Sequence, residues 1–200
     1  MTEWNDRYRT DDFVFGTAPN DFLADVASRM PKGRVLCLGE GEGRNGVYLA
    51  SLGHDVTGVD MSDVGLSKAR ALARSRGVSL ETVVADLATF DLGQSRWEAI
   101  TSIFVHLPPA LRASLYPRVV RALVPGGVFV LEAYTPRQHE IGGVGGPPPA
   151  LADWLVTLDQ LRADLPGLEF VVGRELDRDV NEGARHSGRS AVVQLVAVKS

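Results

Sequence analysis

Apolar runs alternate with amphipathic stretches from residue 31 to residue 134, and this alternation most constrains how the chain can fold. Residues 34–38, 55–59, 80–85, 97–104 and 127–133 each form a short run suited to a buried strand. Between them, residues 43–52 and 62–76 have helical periodicity, the second capped by Ser62 and carrying Val64, Ala69 and Leu72 inward. Residues 108–124 place Leu111, Leu115, Val119 and Ala122 at helical spacing, with a kink predicted at Pro117. A helix over 19–30, with Phe22, Leu23 and Val26 on one face, precedes the first strand, and another is predicted over 151–164. Two last strands, 169–177 and 190–198, are joined by a linker too short for a helical crossover, which implies an antiparallel hairpin. The expectation is an α/β fold: a seven-stranded, mostly parallel sheet, covered by helices on both faces and ending in an antiparallel strand.

The chain has 200 residues, enough for one domain with a sizeable core, here taken as residues 1–200. An apolar fraction of 44% fits a globular protein, and no run approaches the roughly 18 apolar residues of a membrane span. The polar start lacks a signal core, so a cytoplasmic location with no membrane partner is expected. One cysteine, Cys37, can form neither an internal disulfide nor a thiolate metal site, and no metal is expected. A net charge of -4 argues against nucleic acid and for a small-molecule partner, with the protein a monomer or homodimer. Two segments stand apart in composition. Residues 1–18 form a polar and aromatic cap, and residues 135–150 form a Gly/Pro-rich loop read as flexible and suited to a linker or a lid.

The first strand runs into Gly39-Glu40-Gly41-Glu42-Gly43-Arg44-Asn45-Gly46. Glycines there allow a tight turn and close ligand approach at a helix start, and Asp60, about 20 residues on, can accept ribose hydroxyls. The pattern G-x-G-x-x-G leaves an NAD-dependent oxidoreductase open. However, Glu40 and Glu42 would stand where a doubly negative pyrophosphate must sit. S-adenosylmethionine (SAM), with its ammonium and sulfonium, suits those acids better.

Several motifs resemble one family. They are Trp4-Asn-Asp-Arg-Tyr8, Phe15-Gly-Thr-Ala-Pro-Asn20, Leu38-Gly-Glu-Gly-Glu-Gly-Arg-Asn45, Val59-Asp-Met-Ser62, Ala85-Asp-Leu87, Ser102-Ile-Phe-Val-His-Leu-Pro108 and Pro125-Gly-Gly127. Together they resemble the class I SAM-dependent methyltransferases, and most closely the small tellurite-resistance-type branch. The resemblance implies a Rossmann-like three-layer sandwich that converts SAM to S-adenosylhomocysteine. It implies that Gly39, Glu40 and Gly41 line the methionine part, that Asp60 binds the ribose and that Met61 packs on the adenine. It also implies that Asp86 accepts from the adenine amino group beside Leu87, and that Ile103 faces the sulfonium. The family usually has Asp at the position of Cys37, so Glu40 is expected to take over the ammonium contact.

Further candidates come from chemistry and position. Arg7 can pair with the SAM carboxylate, with Tyr8 and Phe15 closing toward substrate, or this segment is a clasp on the core. His106, after the fourth strand, is a candidate base, since histidine titrates near neutrality. Arg185, His186 and Arg189 in the final hairpin can hold an anionic substrate, or they form a solvated tip. Cys37 reads as a small buried strand residue and His54 as solvated. The Asn/Asp-Pro-Pro-aromatic motif of amino-group methyltransferases is missing after the fourth strand, where the chain reads His106-Leu-Pro-Pro109. The expected reaction is therefore metal-independent transfer to a small thiol, chalcogen oxyanion or hydroxyl. A non-catalytic binder of SAM or S-adenosylhomocysteine is the alternative.

Overall fold

The computed structural model describes residues 3–183 and 187–200. Seven strands form one sheet: β1 (Arg34–Leu38), β2 (Asp55–Asp60), β3 (Glu81–Val84), β4 (Trp97–Ile103), β5 (Leu123–Tyr134), β6 (Leu168–Asn181) and β7 (Ser187–Lys199). Their order is β3-β2-β1-β4-β5-β7-β6. The first five run parallel, while β7 pairs antiparallel with both β5 and β6. This is the Rossmann-like arrangement that the alternation predicts. The order reverses between β1 and β4, and ligands bind at such a switch point, beyond the carboxyl ends of the strands.

The helices are α1 (Glu3–Tyr8), α2 (Asp21–Ala27), α3 (Arg44–Ser51), α4 (Asp63–Ser75), α5 (Pro109–Ala122), α6 (Arg137–Glu140) and α7 (Leu158–Asp164). Ser62 caps α4 by accepting from the Gly65 N–H, and Pro117 lies inside α5. The inward residues of α4 include Leu66 and Ala73 as well as Ala69 and Leu72, whereas Val64 is only half-buried. One core, on the side of α5 and α7, holds Leu36, Ile100, Leu115, Phe129 and Leu195. The other face of the sheet packs Val35, Val56, Val130 and Val196 against Phe22, Leu23 and Leu49.

The region after β5 differs from expectation. Residues 137–140 form the helical turn α6, and a 3-10 turn (Pro149–Trp154) replaces the start of the predicted helix over 151–164. Thr157 then starts α7 afresh with a reciprocal cap shared with Gln160. The chain turns helical at Pro149 but kinks at Leu151 and runs extended through Leu155 to Thr157, where Leu155 and Val156 are buried, so one continuous helix over 151–164 does not form.

Candidate active site

The carboxyl ends of β1 to β4 open into a cavity of about 630 Å³, within the usual range of about 300–1,000 Å³ for small-molecule sites. Gly39, Glu40, Gly41, Asp60, Met61, Asp86, Leu87, Ile103 and His106 all line it, as do Arg7, Tyr8 and Phe15 from the N-terminal segment. Residues far apart in sequence thus share one wall.

Asp60 ends β2 beneath the glycine loop. Its two carboxylate oxygens accept from the Gly41 and Ser62 N–H groups, both at 2.8 Å. Burial pushes this carboxyl up from its usual value against those hydrogen bonds. Each oxygen keeps a further lone pair for a ligand hydroxyl. Met61 beside it is 41% exposed, an apolar side chain without cover at the cavity edge. Asp86 lines the cavity and accepts from the Ala88 N–H through Oδ1 at 2.8 Å.

Glu40 lies under the loop. Its Oε1 accepts from the Gly46 N–H at 2.7 Å, and its side chain fills the space over two glycines. A Cβ at Gly46 would fall 2.6 Å from Glu40, and one at Gly58 would fall 2.7 Å from it. Close approach explains why both positions carry no side chain. Burial raises the Glu40 carboxyl to about 7. Buried Cys37 hydrogen-bonds to it, and burial pushes that thiol well up, as befits an inert strand residue.

The N-terminal helix α1 docks on the start of α4. The Ser62 hydroxyl donates to Asn5 Oδ1 at 2.6 Å, and Asn5 Nδ2 donates to Asp63 at 2.7 Å. Trp4 stacks on Tyr8, and the Arg7 guanidinium lies 4.4 Å from the Trp4 ring centre. Tyr8 is buried against the loop, so that a Cβ at Gly41 would meet its hydroxyl at 2.6 Å. Buried Glu42 accepts from Lys68 at 2.6 Å and from the Phe15 N–H at 3.3 Å, and Lys68 also donates to the Tyr8 and Asp12 carbonyls. One of the two loop acids therefore fastens the cap segment.

Beyond β4, Phe104 adopts φ 54°, a left-handed backbone rarely taken by a bulky residue and one often found at functional sites. The His106 ring stacks on Tyr134 with centroids 5.4 Å apart and planes 7° apart. Its Nε2 accepts from the Tyr134 N–H at 3.3 Å. A neutral imidazole has one lone pair, and here it points at the backbone. The geometry therefore works against His106 as the proton acceptor expected from sequence.

Arg189 is not among the cavity-lining residues; it lies on β7, 3.9 Å from Asp179 across the hairpin, with its side chain 59% exposed. Arg185 and His186 lie outside the described residues. His54 is buried rather than solvated, since the turn between α3 and β2 folds it inward.

Two groups escaped the sequence reading. The first is a buried polar cluster. Arg44 pairs with Glu182 at 2.6 Å, while Arg178 bonds both Glu132 and Glu182 at 2.7–2.8 Å. Asn20 donates to both glutamates and, through its backbone N–H, to Asn45. These partners lie up to 162 residues apart, so no local pattern announces them. The second is the apolar end of the cavity, formed by Leu111, Pro147, Leu151 and Trp154. The proline run was its one visible signal.

The described lining carries five carboxylates (Glu3, Glu40, Glu42, Asp60 and Asp86) against two guanidiniums. Both guanidiniums have carboxylate partners, Glu3 for Arg7 and Glu182 for Arg44. Lys68 offsets Glu42 and the Glu40 carboxyl sits near 7, so the excess of negative charge is modest; it still disfavours a pyrophosphate relative to a ligand with an ammonium and a sulfonium.

Comparison with known proteins agrees with this geometry. Residues 35–127 match a methyltransferase domain. A Mycobacteroides abscessus protein, 2-heptyl-1-hydroxyquinolin-4(1H)-one methyltransferase, is 32% identical over 102 residues, which is 50% of this chain and 45% of that protein. The chain thus spans about half the length of the curated relatives it matches. TehB from Haemophilus influenzae superimposes with a TM-score of 0.74 at 20% identity, over 98% of this chain and 66% of its own. A methyltransferase structure from Methanosarcina mazei superimposes with a TM-score of 0.72 at 19% identity, over 87% of this chain and 96% of its own. Residues 35–127 therefore carry a methyltransferase domain, set in a chain whose strand order is that of the Rossmann-like methyltransferase fold.

Proposed function

We propose that the protein binds SAM across the carboxyl ends of β1 to β4 and transfers its methyl group to a small-molecule oxygen or sulfur nucleophile. The observation that carries this reading is the lining itself, in which acids surround the glycine loop and an uncovered Met61 stands beside Asp60. When bound, SAM supplies a methyl carbon activated by a sulfonium, and no metal is needed for that chemistry.

The protein's own task is placement, which can contribute several kcal/mol to a bimolecular transfer. Asp60 and Asp86 suit the ribose and adenine, and Glu40 suits the ammonium. Ile103, which is buried, and half-buried Phe104 suit the approach to the sulfonium, keeping water from it. The M. abscessus relative, named for a hydroxylated heterocycle, favours a small-molecule acceptor here as well.

A thermal-shift comparison with SAM, S-adenosylhomocysteine and NAD tests the cofactor. Ligand at 100 times its dissociation constant adds about 2.7 kcal/mol, which is about 5–10 °C for a chain this size. The expected result is a rise with both SAM species and none with NAD; a rise with NAD alone would overturn the reading. Methyl transfer to generic thiols then separates an enzyme from a non-catalytic binder.

A further inference from the structure

We infer that the methyl acceptor is a planar, largely apolar ring carrying an ionisable hydroxyl or thiol, seated against Trp154 and Leu151, and not a compact oxyanion. This rests on the SAM reading above.

The 3-10 turn over Pro149–Trp154 buries none of its residues in the core. Leu151, where the turn kinks (φ -119°), and Trp154 are both half-buried and both line the cavity. An apolar face of this kind at the mouth of a reactive cavity calls for an apolar partner. The same cavity is lined by Val105 beyond β4, by Pro108 just before α5 and by Leu111 in its first turn. Phe104 completes the end; its ring lies 4.7 Å from Tyr134. The segment at 145–148 closes onto this stack, since a Cβ at Gly146 would lie 2.9 Å from the Tyr134 ring. Among the described residues, all the charged groups of the lining come from the glycine loop, the ends of β2 and β3, and α1. A compact oxyanion needs several donors around its oxygens, and the described side chains of this end offer only the imidazole of His106 and the indole N–H of Trp154, with no cation among them. Stacking on Trp154 instead recognises a flat ring.

The acceptor's hydroxyl or thiol proton passes to water before attack. The resulting oxygen or sulfur anion forms a bond to the methyl carbon as the carbon–sulfonium bond breaks, and that electron pair stays on sulfur, releasing S-adenosylhomocysteine. Charge is conserved, because the sulfonium's positive charge and the acceptor's negative charge vanish together.

The test uses the whole protein with 1-naphthol, 2-naphthalenethiol and 4-hydroxyquinoline beside tellurite and 2-mercaptoethanol. Calorimetric binding to the complex with S-adenosylhomocysteine is measured for each, as is radiolabelled methyl transfer from SAM. The expected result is binding and transfer for the ring compounds at about tenfold or more over the other two. Trp154→Ala should raise KM for 1-naphthol about tenfold, and Trp154→Phe should restore most of the loss. Preference for tellurite or 2-mercaptoethanol, no ring compound bound, or an unchanged KM in Trp154→Ala would each overturn the inference while the SAM reading stands. No binding of S-adenosylhomocysteine itself would remove the SAM reading instead.

Discussion

Arg44 Nη1 lies 2.6 Å from Glu182 Oε2, both side chains almost fully buried, and this pair ties the glycine loop to the far end of β6, 138 residues later in the chain. Arg178 bonds the same carboxylate, and Asn20 bridges it to Glu132. The entry to α3, the cap of α2 and the C-terminal strands are thus held at one point beside the cavity.

Removing one partner from a buried ion pair leaves a charge uncompensated. Arg44→Ala should therefore destabilise the fold by about 3 kcal/mol, lowering Tm by about 6–12 °C. In the double variant with Glu182→Gln, the loss should be smaller than the sum of the two single losses. Thermal denaturation of the four proteins checks this; strict additivity would show that the pair is not coupled.

Burial works to raise the Glu182 carboxyl, but Arg44 and Arg178 outweigh it and hold it below its usual value. Its stabilising contribution is present above the ordinary carboxylate range and is lost as pH falls through the lowered native value. Glu182→Gln should thus flatten part of the acid limb of a stability–pH curve below about pH 4.5. An unchanged acid limb would contradict the assignment.

Glu40 has the opposite sign. Its carboxyl sits near 7 in the fold against 4.5 ordinarily, so the native state holds the proton more tightly. Its contribution to stability without ligand is greatest below 4.5 and declines as pH rises toward 7. A ligand ammonium favours the ionised form, so S-adenosylhomocysteine binding near pH 6.5 should release part of a proton. Calorimetry in buffers of different ionisation enthalpy reads that release directly. Glu40→Gln should abolish it, and equal release from that variant would rule Glu40 out.

Asp60 braces the loop and faces the proposed ribose. Asp60→Ala should weaken S-adenosylhomocysteine binding by about 2–3 kcal/mol, or roughly 30–150-fold. Unchanged affinity would remove the ribose assignment.

Because His106 turns its Nε2 lone pair toward the Tyr134 N–H, its expected role is to shape the acceptor site by stacking. His106→Ala should raise KM for the acceptor and leave S-adenosylhomocysteine affinity unchanged. His106→Phe should recover much of the loss, because a ring without a base still stacks on Tyr134. Loss of kcat in both variants with KM unchanged would restore the base assignment.

The strands, most helices and many residues that line the cavity were legible in the chain because each rests on local chemistry. Apolar runs of five to eight residues identify these strands, Ser62 announces a cap, and Asp60 follows the glycine loop about 20 residues on. The helix predicted over 151–164 is broken because Leu155 and Val156 are buried on an extended stretch, a tertiary demand that periodicity cannot show. Other features depend on which distant elements meet. Glu40 takes a neutral-range carboxyl because Gly46 and Gly58 leave it a buried slot, and Glu42 becomes a fastening for the cap because Lys68 of α4 reaches it. The cluster of Arg44, Arg178, Glu132 and Glu182 joins loop, hairpin and central sheet, and in sequence its members look like ordinary surface charges. Burial and pairing give those side chains their roles, and both arise only when the packed fold removes water and brings remote partners into contact.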